Sequence, residues 1–151
     1  MMTRINYFSA KEAILIHDIE VIEKIGGLPG VKDEGRVFSV FEHLQNDDYY
    51  PDFETKLTVL VYNTVQFHMF NDGNKRSSII FSVKFLSINN FDYLIPYFIE
   101  TMENIVLWVA MGLINFDFLK EIISSILYYE DLSENVKEEL AKIALTINDN
   151  D

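Results

Sequence analysis

Apolar positions recur along this chain with the period of α-helices. Ser9-Ala10-Lys11-Glu12 has the form of a capping box, and Ile14, Leu15, Ile19 and Ile22 follow at helical spacing. Gly26-Gly27 is the expected stop, because glycine permits the left-handed turn after a last helical turn. Gly30 and Gly35 bracket a charged stretch, Lys32 to Glu34, that reads as a loop or short hairpin, and a short helix is expected over Val37 to Leu44. Pro51-Asp52 opens a further helix to about Phe67, with Leu57, Leu60, Val61 and Thr64 on one face.

The run His68-Met69-Phe70-Asn71-Asp72-Gly73 is too polar and glycine-bearing to stay helical. After it comes a helix from Asn74 to Ile88, apolar nearly all round, whose only charge between Ser77 and Asn90 is Lys84. Such a helix belongs at the buried centre of a bundle. Three more helices are expected: Glu100 to Met111 ending at Gly112, Asp117 to Tyr129, and Ser133 to Leu145, with Asn148 to Asp151 fraying. With no internal repeat, low-complexity tract or linker, the expectation is one all-α domain over residues 1–151, a compact helical bundle with a short hairpin or loop flap.

Composition narrows the function classes. The 151 residues are 49% apolar and 14% aromatic, enough for one well-packed core. The net charge of −12 repels phosphate backbones, so no nucleic-acid partner is expected, although a nucleotide needs only a local cluster of donors. There is no cysteine, which removes disulfide and thiolate chemistry. The Met1 to Phe8 segment lacks the layout of a signal peptide, and the longest apolar run, Ile105 to Met111, is too short for a bilayer. A cytoplasmic protein without membrane attachment is the expectation.

Chemistry concentrates in the nine residues from His68 to Arg76. Gly73 and Asn74 start a helix, where unpaired N–H groups and the positive end of the dipole make an anion site. Arg76 adds a planar fork for phosphate oxygens and Lys75 a second cation. Asp72 is placed to hold a Mg²⁺ that also takes phosphate oxygens. His68 shares the helical face of Thr64, Val61 and Leu57, and Arg76 that of Ile80 and Val83, so both are expected to point inward. A buried cation and imidazole are costly unless a cleft or ligand receives them. Imidazole is a common general base near neutral pH, so the set suggests activation of a hydroxyl to attack a nucleotide phosphate. Taken singly, His68 also fits a helix C-cap, Asp72 an ordinary N-cap, and Lys75 and Arg76 solvated charges. Only their order within one short loop favours the chemical reading.

His68-x-Phe70-x-Asp72-Gly73-Asn74-Lys75-Arg76 resembles the signature of the Fic/Doc family. Upstream, His17-Asp18, Gly26-Gly27-Leu28-Pro29-Gly30 and Gly35-Arg36 resemble its death-on-curing branch, so the likeness spans roughly residues 9 to 115. The resemblance implies that His68 is the base, that Asp72 binds Mg²⁺, that Gly73 and Asn74 line the anion hole, and that Arg76 grips the phosphates of ATP. It makes Phe70 a core anchor and Gly35, Arg36 and Val37 part of a flap that aligns the protein substrate, alongside the plain reading of a surface connector.

AMP-transferring members carry a small residue where Lys75 stands and a second arginine where Ile79 stands. This chain has the pattern of the kinase-like branch, though that branch can have Ala in place of Gly73. The resemblance therefore implies a protein kinase that moves a phosphate from ATP to a hydroxyl side chain, as the toxin of a toxin–antitoxin pair. AMP transfer is the alternative, and a catalytically inactive nucleotide-binding regulatory domain a second. The family's self-inhibitory motif, Ser/Thr-x-x-x-Glu-Gly/Asn, has no copy, since Glu134-Asn135 is preceded at the required distance by Glu130. Restraint is expected from a separate antitoxin chain.

Overall fold

The computed structural model describes residues 4–149. Among them are helices α1 (Ala10–Ile16), α2 (Glu34–His43), α3 (Phe53–Gln66), α4 (Asn74–Ile88), α5 (Ile95–Ala110), α6 (Phe116–Tyr129) and α7 (Glu134–Asp149). A 3₁₀ turn, Asp92–Leu94, leads into α5. The all-α expectation holds, and none of the described helices is long and apolar enough to cross a membrane.

Helix starts follow cap chemistry. Ser9 and Glu12 form the capping box, and Asp52 and Asn115 accept from Thr55 N–H and Phe118 N–H at 2.8 Å each. Some boundaries differ from the sequence expectation. Helix α5 begins at Ile95, five residues before Glu100, because Pro96 is tolerated in a first turn. Helix α7 runs to Asp149 where fraying was expected from Asn148, and residues 150–151 of that tail lie outside the described part.

Helix α1 also departs from regularity. From His17 to Glu23 it widens into a π-helix, a form that recurs at functional sites. His17 and Val21 are buried there, whereas Leu15 and Ile19, two of the apolar residues at helical spacing, are exposed.

Helix α4 packs between α3 and α5. It is not buried all round. Ser77, Ser78, Phe81, Ser82, Phe85 and Leu86 are buried, while Ile79, Ile80 and Val83 are half-buried on the face that also carries Arg76. Ser78 and Ser82 hydroxyls donate to the Lys75 and Ser78 carbonyls, at 2.6 and 2.7 Å, so these small polar residues are satisfied within the helix. Phe81 joins an aromatic cluster with Phe8, Phe41 and Phe70, which ties the centre of the bundle to the loop before α4.

Candidate active site

The loop from α3 to α4 is held by its neighbours at almost every residue. Helix α3 ends because Phe67 relaxes to φ −87° and ψ −5°, and His68 then turns to φ +48°. This left-handed position is uncommon outside glycine, and His is among the residues that tolerate it. His68 thereby leaves the helical phase of Thr64 and Val61. Its side chain is exposed, and the inward orientation expected from periodicity is corrected.

Met69 and Phe70 follow, both buried, and a ribbon from upstream runs alongside them. Val31 and Phe70 form an antiparallel bridge, and Lys32 and Asp33 N–H both donate to the Met69 carbonyl, at 2.9 and 3.2 Å. Asn71 closes the other end, its backbone N–H donating to the Gly30 carbonyl at 3.1 Å and its amide to the Pro29 carbonyl at 3.2 Å. The segment beside the loop is thus Leu28 to Asp33. Gly35 and Arg36, expected as a flap or surface connector ahead of a helix from Val37, form the first turn of α2 together with Val37. Asp33 Oδ1 accepts from Arg36 N–H at 3.0 Å and starts that helix early, and Val37 is fully buried.

Asn74 clasps the loop from inside. Its Oδ1 accepts from Phe70 N–H at 3.1 Å, and its Nδ2 donates to the Phe70 carbonyl at 3.0 Å. The side chain is therefore committed to the backbone, and what α4 offers to an anion is the N–H groups of its first turn. Gly73, the residue before that turn, has φ +76° and no side chain to cap those donors. A Cβ there would lie 2.7 Å from Val21 Cγ1, so glycine meets both a backbone and a space requirement.

Asp72 accepts from Gly73 N–H at Oδ1, 2.8 Å, and from Leu28 N–H at Oδ2, 3.2 Å. The Leu28 and Gly73 amides, with smaller help from Lys75 and His17, hold its carboxyl below the usual carboxylate range. Gly27 makes the Leu28 contact possible, since a Cβ on it would sit 2.8 Å from Asp72 Oδ2. Asp72 is exposed, leaving oxygen lone pairs directed to solvent. One carboxylate beside an uncapped helix start fits the way Mg²⁺ binds, with few protein ligands and the rest from an anion and water.

His17 supplies what the sequence did not show. Fully buried, it places Nε2 2.8 Å from the Asp72 carbonyl and Nδ1 3.0 Å from Asp18 Oδ1. A carbonyl only accepts, so Nε2 carries a proton. The ring stacks on Phe70 at 3.9 Å and 10°. His17 thus joins the Phe70 anchor to the peptide between Asp72 and Gly73. In the sequence it stood out only as part of a resemblance, because nothing in the spacing brings a residue 55 positions away to that carbonyl.

Asp72, Gly73, Asn74, Lys75 and Arg76 line one cleft of about 680 Å³ between the start of α4 and one face of α5. Its apolar wall includes Ile79, Ile80, Val83, Ile99 and Val106, and Glu103 also lines it. Arg76 is exposed into this cleft, which receives the cation that the core could not. The volume suits a small-molecule ligand. His68 is not among the lining residues, so the structure gathers five of the six predicted chemical residues there and leaves the imidazole outside.

Residues 7–86 match the Fic/DOC family. The chain belongs to the Fic/Doc family. It is also similar to a protein from Escherichia phage P1 named protein kinase doc, with 37% identity over 87 residues, covering 55% of this chain and 68% of that relative. The matched region ends within α4 and so contains the whole loop with His17, Asp72 and Arg76.

Proposed function

We propose that this protein is a Doc-like protein kinase that transfers the γ-phosphate of ATP to a hydroxyl group of a target protein, as the toxin of a toxin–antitoxin pair. The observation that carries the reading is the cationic start of α4. Lys75 and Arg76 line the cleft together, and Ile79, one turn on, presents an apolar wall. A second arginine at that wall would hold the outer phosphates for loss as pyrophosphate; its absence favours presenting the γ-phosphate itself. The likeness to a phage protein kinase supports the same choice.

In this reading the first-turn N–H groups of α4 and the Arg76 guanidinium bind and orient the phosphates. His68 accepts the proton of the target hydroxyl, whose oxygen attacks the γ-phosphorus. The bond from that phosphorus to the β–γ bridging oxygen breaks, and ADP leaves with that oxygen. Asp72 would hold Mg²⁺, which would offset charge developing on the phosphoryl oxygens. His68 standing outside the cleft lining suits this division, since the base must face the incoming protein while the cleft faces the nucleotide.

Transfer of label decides between phosphate and AMP. With ATP labelled at the γ position the target protein becomes marked and ADP accumulates. Label arriving from the α position, with pyrophosphate released, would overturn the kinase reading and restore AMP transfer.

A further inference from the structure

A second recess lies apart from the first cleft and shares no lining residue with it. It measures about 330 Å³ and is walled by α2 and α3, with Phe67 at its edge. Val40 and Val59 form a buried floor, and Arg36, Ser39, His43, Tyr50 and Asn63 line it. None of its lining residues is Asp or Glu, in a chain that carries 24 of them. The recess is rich in donors: a guanidinium, two hydroxyls, an amide and an imidazole.

Arg36 is set in advance. Its guanidinium lies over the Phe67 ring, 4.5 Å from the centroid. The nearest carboxylate, Asp33, uses Oδ1 to cap α2, and its Oδ2 stands 3.8 Å from Arg36 Nε, too far for a hydrogen bond. Apart from that ion pair through Nε, the guanidinium meets no carboxylate among the described residues, and an aromatic face orients its two Nη groups. Phe67, whose ring Arg36 covers, immediately precedes His68 in the chain.

We propose that this recess binds an acidic side chain of the protein substrate, a carboxylate that pairs with Arg36 and accepts from the hydroxyl and amide donors around it. It would hold the target segment across His68 and make the enzyme prefer hydroxyls with an Asp or Glu nearby. The proposal rests on the reading of the chain as a protein-modifying transferase, but it concerns binding and is tested without turnover. The expectation of target docking at Gly35, Arg36 and Val37 then survives in Arg36 alone, and through a side chain in a pocket, not through a flap.

The test is a nuclear magnetic resonance titration of the full chain with two short blocked peptides, Ala-Glu-Ala and Ala-Gln-Ala, and with inorganic phosphate. The Glu peptide should shift the side-chain signals of Arg36 and Asn63, the Gln peptide should not, and Arg36→Gln should abolish the response. An Asn63→Ala variant, altered at a different helix, should weaken it several-fold, which guards against a folding defect confined to one substitution. Equal response to both peptides, or response to phosphate but not to the Glu peptide, would overturn the proposal. Failure of ATP label to reach any protein, with the Glu-peptide response intact, would instead count against the kinase reading.

Discussion

At the scale of single residues, the site divides into groups that touch substrate and groups that hold the loop. The proposed reading puts His68 in the first. Its exposure and left-handed backbone leave it little structural work, so His68→Ala should fold and lose transfer by roughly 10²–10⁴-fold. His68→Gly is the sharper variant, because glycine suits φ +48° without strain and separates chemistry from backbone. Full transfer by a folded His68→Gly protein would remove the base assignment. His17 belongs to the second group. Leucine there deletes the proton donor to the Asp72 carbonyl, at an expected stability loss of about 1–3 kcal/mol, and loosens the loop that orients Asp72. Mg-ATP affinity and kcat should both fall in His17→Leu and recover in part in His17→Gln, whose amide can donate. Wild-type rates in both variants would reject a positioning role.

The contrast between these two histidines shows where sequence reading ends. His68 was legible because its partners in chemistry are neighbours in the chain. Its direction was misread because a helical phase was extended through a residue that ends the helix. His17 was illegible as a positioning group, since its significance lies in contacts with Asp72 and Phe70 across the fold.

At the scale of elements, α4 is the organising piece. Its first turn supplies anion donors, its serine and phenylalanine face packs on the bundle, and its isoleucine face walls the cleft. Arg76→Ala should weaken Mg-ATP binding by about 10–100-fold, the value of a charge-assisted pair. Lys84, on the same helix, lies with Nζ 6.0 Å from the Phe8 ring centroid, so Lys84→Ala should change binding little. Calorimetry on both variants checks the ordering, and greater sensitivity at Lys84 would misplace the site. The join between α2 and α3 has its own device. Lys56 is fully buried, donates to the Leu44 carbonyl at 2.8 Å and pairs with Asp47 at 2.9 Å, thereby capping the end of α2. Only the turn between the helices brings that carbonyl to Lys56.

At the scale of the whole molecule, the open cleft bears on restraint. Arg76 is exposed, and the chain has no copy of the family's inhibitory motif. The purified protein alone should therefore transfer label and be toxic on expression, and an antitoxin presenting a glutamate to Arg76 should silence it. Activity gained only on deleting α7 from Ser133 would reveal an internal lock.

The sequence by itself determined what is local: the helical periods, the caps at Ser9 and Asp52, the start of α4 at Asn74, and the order of cation, carboxylate and base in one loop. These follow from spacing of 3–4 residues and from backbone groups that neighbours must satisfy. Tertiary structure decided the rest. It set which face of α4 opens to solvent, turned His68 outward, carried His17 under the loop and began α2 at Glu34, ahead of the expected Val37. Each of those outcomes depends on contacts between residues far apart in the chain, and a one-dimensional pattern holds no record of which distant group will satisfy a given buried atom.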